Sequence, residues 1–372
     1  TTMLLRARTS IVSSLWGRSF STKYNPDVLG VELGMNNSLA IVLNRPSALN
    51  ALNLSMVKNL SKLLQDGEKN EEVQFYLVTG AEDKAFCAGG DIKALYDSGK
   101  SNGADAYQFF REEYKLNHLI SQLKKPYVSL IQGITMGGGI GVSVHGKYRV
   151  AFPTTRVAMP EAAIGFFCDV GGSYFLPRLP HNIGYYLALT GESLHGYDAY
   201  DAGLATHFAE GDKSDFLAQT IKLEINELVA HLDSITPARG SASSRVPWEL
   251  ASKHFGKGTL YEIVESLQRD PSPAAQKALE KIRSHSPISL NVIFEQLQRG
   301  SKLDLTQCLQ MEYALGHKFL KGKDFFTGVS SVLKIEPFTR PPVWSSTLEE
   351  ISFSQVQDYF AFDPSVETIS FN

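Results

Sequence analysis

Cysteine is scarce in this chain of 372 residues: Cys87, Cys168 and Cys308 are its three, far apart and never spaced as Cys-x-x-Cys. That excludes a disulfide framework and a zinc or dithiol pair built on cysteine, and it fits a reducing compartment. The nine histidines never fall as His-x-x-x-His or His-Glu-x-x-His, so no metal site is expected. Long apolar runs are also missing. No stretch reaches the ~18 apolar residues that a membrane-crossing helix requires, and no membrane segment is expected. An excess of positive charge is absent as well, since 36 Lys and Arg stand against 39 Asp and Glu for a net charge of -3. No broad basic field is available for an electrostatic grip on nucleic acid, and no direct nucleic-acid partner is expected.

What is present belongs to an ordinary globular protein, with 43% hydrophobic and 20% charged residues. The length predicts one large core with a smaller helical appendage. Residues 1–24 carry Arg6, Arg8, Arg18 and Lys23, several Ser and Thr, and no acid before Asp27. That pattern reads as a mitochondrial transit peptide and predicts a protein of the mitochondrial matrix. A catalytic core is expected over residues 25–232 and a helical region over 233–372, joined at the Ser-, Pro- and Gly-rich stretch Asp233 to Val246.

Within the core, Val28 to Glu32 and Leu39 to Leu43 predict a hairpin about Gly34 to Asn37. Met56, Leu60, Leu63 and Leu64 have helical spacing with Ser55 as N-cap, followed by a strand at Phe75 to Thr79. Ala81 to Asp91 reads as loop, Ala104 to Leu123 as helix and Tyr127 to Gln132 as a buried strand. Ile140 to Val144 reads as a short helix, with strands at Tyr148 to Phe152 and Arg156 to Met159. Beyond Asp169 the pattern turns helical: Asn182 to Thr190, Gly196 to Ala202, Ser214 to Leu232, Leu260 to Leu267, Pro273 to Arg283, Ile288 to Gln298 and Asp304 to Leu320.

Three segments carry chemistry. Phe86 to Ile92 and Gly133 to Gly139 are glycine-containing turns after strands, able to bare backbone N–H groups without an obstructing Cβ. Two such donors converging on one point make an oxyanion hole, where each is worth ~3 kcal/mol to a developing alkoxide. The third is Met159 to Gly172, in which Glu161 and Asp169 stand among apolar residues and glycines. Burial raises a carboxyl's pKa, so two such groups can divide acid and base roles. For an arbitrary loop, an exposed Glu161 and an Asp169 capping a helix at Gly171 would be the default. Gly139-Ile140-Gly141 lacks the third glycine of a dinucleotide fingerprint, and Gly141-Val142-Ser143 lacks the second glycine of a nucleophile elbow. Ser143 and His145, two apart on a helix, point to different faces and predict no triad. Cys168 has no histidine near it in sequence and reads as a small apolar residue.

Taken together, Asn44-Arg45-Pro46 with Ala48 to Leu52, the Phe86 to Ile92 turn, the triple glycine and the Met159 to Gly172 segment resemble the crotonase superfamily from about Val28 to Glu210. The resemblance implies an α/β, crotonase-like fold of repeated ββα units with a helical C-terminal region, and an acyl-CoA substrate. It implies that the N–H groups of Gly90 and Gly138 hold the thioester oxygen while Glu161 and Asp169 act as catalytic carboxylates. Ala88, Gly89, Asp91 and Ile92, with Arg45 and Ala48, would line the CoA side, and Glu113 matches a substrate-site acid. CoA is then part of the substrate, and no separate cofactor is expected. Hydratases of the superfamily carry a glutamate where this chain has Gly141, so hydration is disfavoured. Ser143 to Gly146, Gly165 to Gly172 and Tyr174 to Leu179 are similar to the superfamily's hydrolase branch. That implies hydrolysis of the thioester of 3-hydroxyisobutyryl-CoA, or a similar short acyl-CoA, in valine degradation. Two sequence features depart from that branch: Cys168 in place of a proline, and an altered region from Lys323 to Trp344. The altered region motivates a second reading as a structural, mitochondrial-ribosome-associated relative, and a third keeps an enoyl-CoA hydratase or isomerase. The residues leave open whether Glu161 attacks or activates water, and whether the chain forms a homo-oligomer.

Overall fold

Three neighbouring strands, Ser38–Leu43, Phe75–Gly80 and Tyr127–Leu130, are buried along their whole length. Their near-continuous apolar character is what a parallel sheet covered on both faces demands. The computed structural model describes residues 21–25, 27–33, 37–220, 222–240 and 244–371. Its strands are β1 (Ser21–Asn25), β2 (Val28–Leu33), β3 (Ser38–Leu43), β4 (Phe75–Gly80), β5 (Ala85–Cys87), β6 (Tyr127–Leu130), β7 (Ile134–Met136), β8 (Tyr148–Ala151), β9 (Arg156–Ala158), β10 (Leu194–His195) and β11 (His207–Phe208). One sheet runs in the order β1-β2-β3-β4-β6-β8-β11 and a second in the order β10-β9-β7-β5. The hairpin β2–β3 is antiparallel, with Val28 opposite Leu43, and from β3 to β11 the first sheet is parallel.

The repeat is visible in this order. A long strand enters the first sheet, a three-residue strand follows in the second, and a helix or tight turn comes next: β4 then β5, β6 then β7, β8 then β9. This is the expected α/β arrangement of ββα units. Because β5, β7 and β9 are parallel neighbours, the residues after each emerge at one end of one sheet. Those residues are Ala88 to Asp91, Gly137 and Gly138, and Pro160 and Glu161.

Side chains of β3, β4 and β6 alternate between two hydrophobic clusters. Ile41, Tyr76 and Val78 face a large one that also contains Leu290, Leu315 and Phe325 from the C-terminal helices. Val42, Phe75 and Leu130 face a smaller one closed by Phe216, Leu217, Leu228 and Leu232. Residues on both sides of the expected joint near 233 therefore share one core.

Several expectations are corrected. The helix Leu54–Lys69 is capped by Asn53, whose side chain accepts from Met56 N at 2.8 Å, and Ser55 lies in its first turn. The helix expected over Ser214 to Leu232 is two, Lys213–Thr220 and Ile225–Ile235. Glu224 starts the second with a reciprocal cap to Glu227, which favours a fresh helix start there. The loops at 81–91 and 133–139 contain β5 and β7, too short to show a period. Helices at Ile92–Lys100, Trp248–His254, Lys323–Leu333 and Phe353–Phe360 were not anticipated. Residues 1–20 of the expected leader and residues 34–36 of the hairpin turn lie outside the described residues. Residues 21–24 of that leader belong to β1, which pairs with β2. Among the described residues no helix is long and apolar enough to cross a membrane.

Candidate active site

The end of the β5-β7-β9 sheet opens into a cavity of about 310 Å³ that receives Gly89, Gly90, Gly138, Glu113, Glu161 and Asp169 together. Leu95, Phe109, Phe110, Phe166, Phe325 and Val332 belong to its apolar wall.

The backbone donors are set by two different devices. Leu52 is bracketed on the neighbouring loop by Gly89 O at 2.8 Å and Asp91 N at 2.9 Å. In such a parallel bridge the residue between, Gly90, turns its own N–H away from Leu52. Gly138 is the first residue of the helix Gly138–Val144, where an N–H has no acceptor within its own helix. The two come close: a Cβ on Gly138 would stand 3.2 Å from Gly90 N and 2.5 Å from Glu113 Oε1. Any side chain at 138 would fill the space the donors face.

Glu161 begins the short turn after β9, and its Oε1 would lie 2.8 Å from a Cβ on Gly137. Its Oε2 is buried without a hydrogen-bond partner, as is Oε1 of Glu113. Tyr114, beside Glu113 on the helix Ala104–Gln122, donates its hydroxyl to Asp169 Oδ2 at 3.1 Å. Glu161, Asp169 and Glu113 are all buried, so the exposed Glu161 expected of an arbitrary loop does not occur here. Asp169 does not cap the following helix with its side chain, since Gly171 holds that position.

Burial is the largest influence on all three acids. It drives Glu113 well above the usual carboxyl range, with the charges of Asp169 and then Glu161 adding to it. Glu161 is likewise raised, by burial and then Asp169, against hydrogen bonds from its own backbone and Cys168. Asp169 rises to about 7, less far because Tyr114 donates to it. The negative charge of Asp169 adds to burial in raising the proton affinity of Glu161. The Cys168 thiol is fully buried and its pKa is pushed well up, first by burial and then by Glu161, so it stays a thiol. Ser143 donates within its own helix to Gly139 O and Ile140 O, and His145 faces Val170 O at 2.8 Å. They form no nucleophile–base pair.

Of the remaining expected residues, Ala88 and Ile92 line the cavity, whereas Arg45, Ala48 and Asp91 stand outside it. Arg45 forms an ion pair with Asp91 at 2.7 Å and donates to Ala51 O, and Ala88 N reaches Leu49 O. This side of the site braces the loop that carries Gly90. Sequence reasoning missed Tyr114, the wall residues Phe325 and Val332, and Glu312. The Glu312 carboxyl group accepts from Gly171 N and Ser173 N at 2.7 and 2.9 Å behind Asp169. Tyr114 and Glu312 lie on helices whose amphipathic pattern marks a buried face without marking which buried residue is polar for a purpose.

Where this chain has Gly141, a Cβ would come 2.6 Å from Val170 Cβ and 3.0 Å from Asn117 Nδ2. The space a second glutamate would occupy is already filled.

A family model described as enoyl-CoA hydratase/isomerase matches residues 38–360. The chain is 45% identical over 329 residues to the mitochondrial 3-hydroxyisobutyryl-CoA hydrolase of Xenopus tropicalis, covering 86% of this chain and 85% of that one. It is 43% identical over 359 residues to the protein of the same name from Dictyostelium discoideum, covering 92% and 93%. Among solved structures, a carnitinyl-CoA dehydratase from Mycobacterium thermoresistibile superposes with a TM-score of 0.85 at 36% identity, covering 93% of this chain and 99% of that one.

Proposed function

The chain belongs to the enoyl-CoA hydratase/isomerase family, and from that premise and the cavity's chemistry we propose that it hydrolyses the thioester of 3-hydroxyisobutyryl-CoA to the free acid and CoA. One observation carries the reading: a buried, unpartnered carboxyl oxygen of Glu161 faces the same small cavity as the backbone donors Gly90 and Gly138. That is the arrangement a thioester carbonyl needs for attack. Hydration of an enoyl-CoA is disfavoured by the filled space at Gly141.

The thioester oxygen sits between Gly90 N–H and Gly138 N–H, which stabilise the negative charge it gains on attack. The ionised form of Glu161, a minor species that burial and Asp169 make strongly basic, takes a proton from water as the water oxygen bonds to the carbonyl carbon. The tetrahedral intermediate collapses, the carbon–sulfur bond breaks, and Glu161 returns the proton to the departing sulfur. Asp169, held by Tyr114, orients the water or the substrate hydroxyl. In the other route Glu161 itself bonds to the carbon, expels the thiolate and forms an anhydride that water then opens. Single turnover in ¹⁸O water separates the two, because only the anhydride route can leave label in the Glu161 carboxyl.

The relatives are named mitochondrial, and the arginine-bearing leader of this chain agrees with that. The matrix is the compartment we assign, and valine degradation the context. Release of free thiol from a panel of acyl-CoAs tests the function. Wild-type protein should favour 3-hydroxyisobutyryl-CoA, and Glu161→Gln should lose turnover while still binding CoA. Near-normal hydrolysis by that variant would remove Glu161 from the mechanism.

A further inference from the structure

Asp169 lies in a backbone segment that is gripped from three other elements. Gln296, on the helix Pro287–Gly300, donates Nε2 to Cys168 O at 2.6 Å. His145, at the end of the helix that starts with Gly138, meets Val170 O through Nε2 at 2.8 Å. Glu312, on the helix Leu305–Phe319, accepts from Gly171 N at 2.7 Å, from Ser173 N at 2.9 Å and from the Ser173 hydroxyl. Val170 C=O and Gly171 N–H are the two ends of one peptide unit. His145 and Glu312 therefore hold the same peptide plane from opposite sides, one residue past the catalytic aspartate.

That plane needs holding. Val170 has φ +54°, in the left-handed region that a β-branched residue avoids, and Gly171 follows at φ +85°. Left to local preference, Val170 would relax into the extended region and turn the backbone that aims Asp169. The partner of His145 is a carbonyl, which only accepts, so Nε2 must carry the proton. Burial lowers the ring's pKa to about 4, which keeps it neutral with one tautomer in place. Glu312 is fully buried and offers two acceptor oxygens to three donors.

We propose that Glu312 and His145 are positioning residues that clamp the Val170–Gly171 peptide and so fix Asp169 against Tyr114 and in register with the helix that presents Gly138. The clamp rests on the role given to Asp169 above. It ties the C-terminal helices to the reaction: one of them supplies the acceptor without which the catalytic turn is not held.

Glu312→Gln tests it in the thiol-release assay, because glutamine fills the same volume but puts an N–H₂ group where one of the two acceptors was. We expect kcat to fall about 100-fold, the size of loss that misplacement of a catalytic group produces, with KM changed less than about twofold. His145→Gln keeps an N–H donor and should retain most of the turnover, while His145→Leu should fall as far as Glu312→Gln. The double variant should fall no further than either single one, since both release one peptide. Full kcat in Glu312→Gln, or losses that multiply in the double variant, would overturn the clamp. If wild-type protein releases no thiol at all, the functional reading fails by itself. The clamp is then judged on a crystal structure of Glu312→Gln. Val170 leaving positive φ with loss of the Tyr114–Asp169 bond supports it, and an unmoved Asp169 sinks it.

Discussion

Tyr114 donates its phenolic hydrogen to Asp169 across 3.1 Å, with both groups buried. Burial, followed by the charge of Asp169, holds the phenol well above its usual pKa, so it remains a donor at any working pH. The bond lowers the proton affinity of Asp169 against the larger upward effect of burial. In Tyr114→Phe that opposition is gone, and Asp169 ionises at higher pH. Hydrogen bonds to charged groups are worth ~1.5–3 kcal/mol, which corresponds to about a 10- to 100-fold loss of kcat near neutrality. The acid limb of the kcat profile should move upward in pH. An acid limb that stays in place would mean that turnover does not depend on the ionisation of Asp169.

Gly137→Ala tests the placing of Glu161. Gly137 has φ +46°, and the new methyl would lie 2.8 Å from Glu161 Oε1, so the carboxyl has to move. The left-handed backbone adds ~1–3 kcal/mol of strain. Thermal melting should show that loss of stability, and the thiol-release assay should show kcat down by about 100-fold. A variant that melts early yet turns over normally would show that Glu161 works from another position.

Gly141→Glu asks whether a second acid can be built in. With Val170 Cβ 2.6 Å and Asn117 Nδ2 3.0 Å from the new Cβ, the side chain has nowhere to go. Overpacking alone costs ~1–3 kcal/mol, and the buried charge costs more. The variant should melt well below wild type and leave an enoyl-CoA unhydrated by absorbance. Measurable hydration would show that one residue separates the two activities in this chain.

Much of the site was legible because its signals are local. Glycines within Phe86 to Ile92 and Gly133 to Gly139, and carboxylates in the apolar Met159 to Gly172 stretch, each announce themselves within a few residues. The buried strands β3, β4 and β6 were legible for the same reason, as mostly apolar runs. The illegible part is tertiary. Gln296 reaches Cys168, and Glu312 reaches Gly171 and Ser173, across more than a hundred residues of chain. Nothing in the composition of a buried helix face marks one glutamate as an acceptor for a distant turn. The positive φ of Val170 is equally unreadable, because its residue type argues against that conformation and only the surrounding side chains impose it. Arg45 and Asp91 illustrate the opposite case: both stood out in the sequence, and the structure pairs them with each other outside the cavity.

Glu312 also ties stability to pH. Burial raises its pKa from 4.5 to about 8, against the lowering effect of the Ser173 and Gly171 hydrogen bonds. Between those two values the folded chain holds a proton that the unfolded chain has released. The stability this contributes is complete below the unfolded value and is lost as pH rises toward the folded one. Glu113 and Glu161 are raised in the same direction by burial and add to the slope. Melting temperature should therefore fall as the buffer is taken from about pH 5 to about pH 9. Glu312→Gln has no proton to release there, so its melting temperature should fall less over the same range, even though its value at the acid end starts lower for want of one acceptor. Parallel curves for variant and wild type would mean that Glu312 titrates as an ordinary carboxylate, with water reaching it in solution.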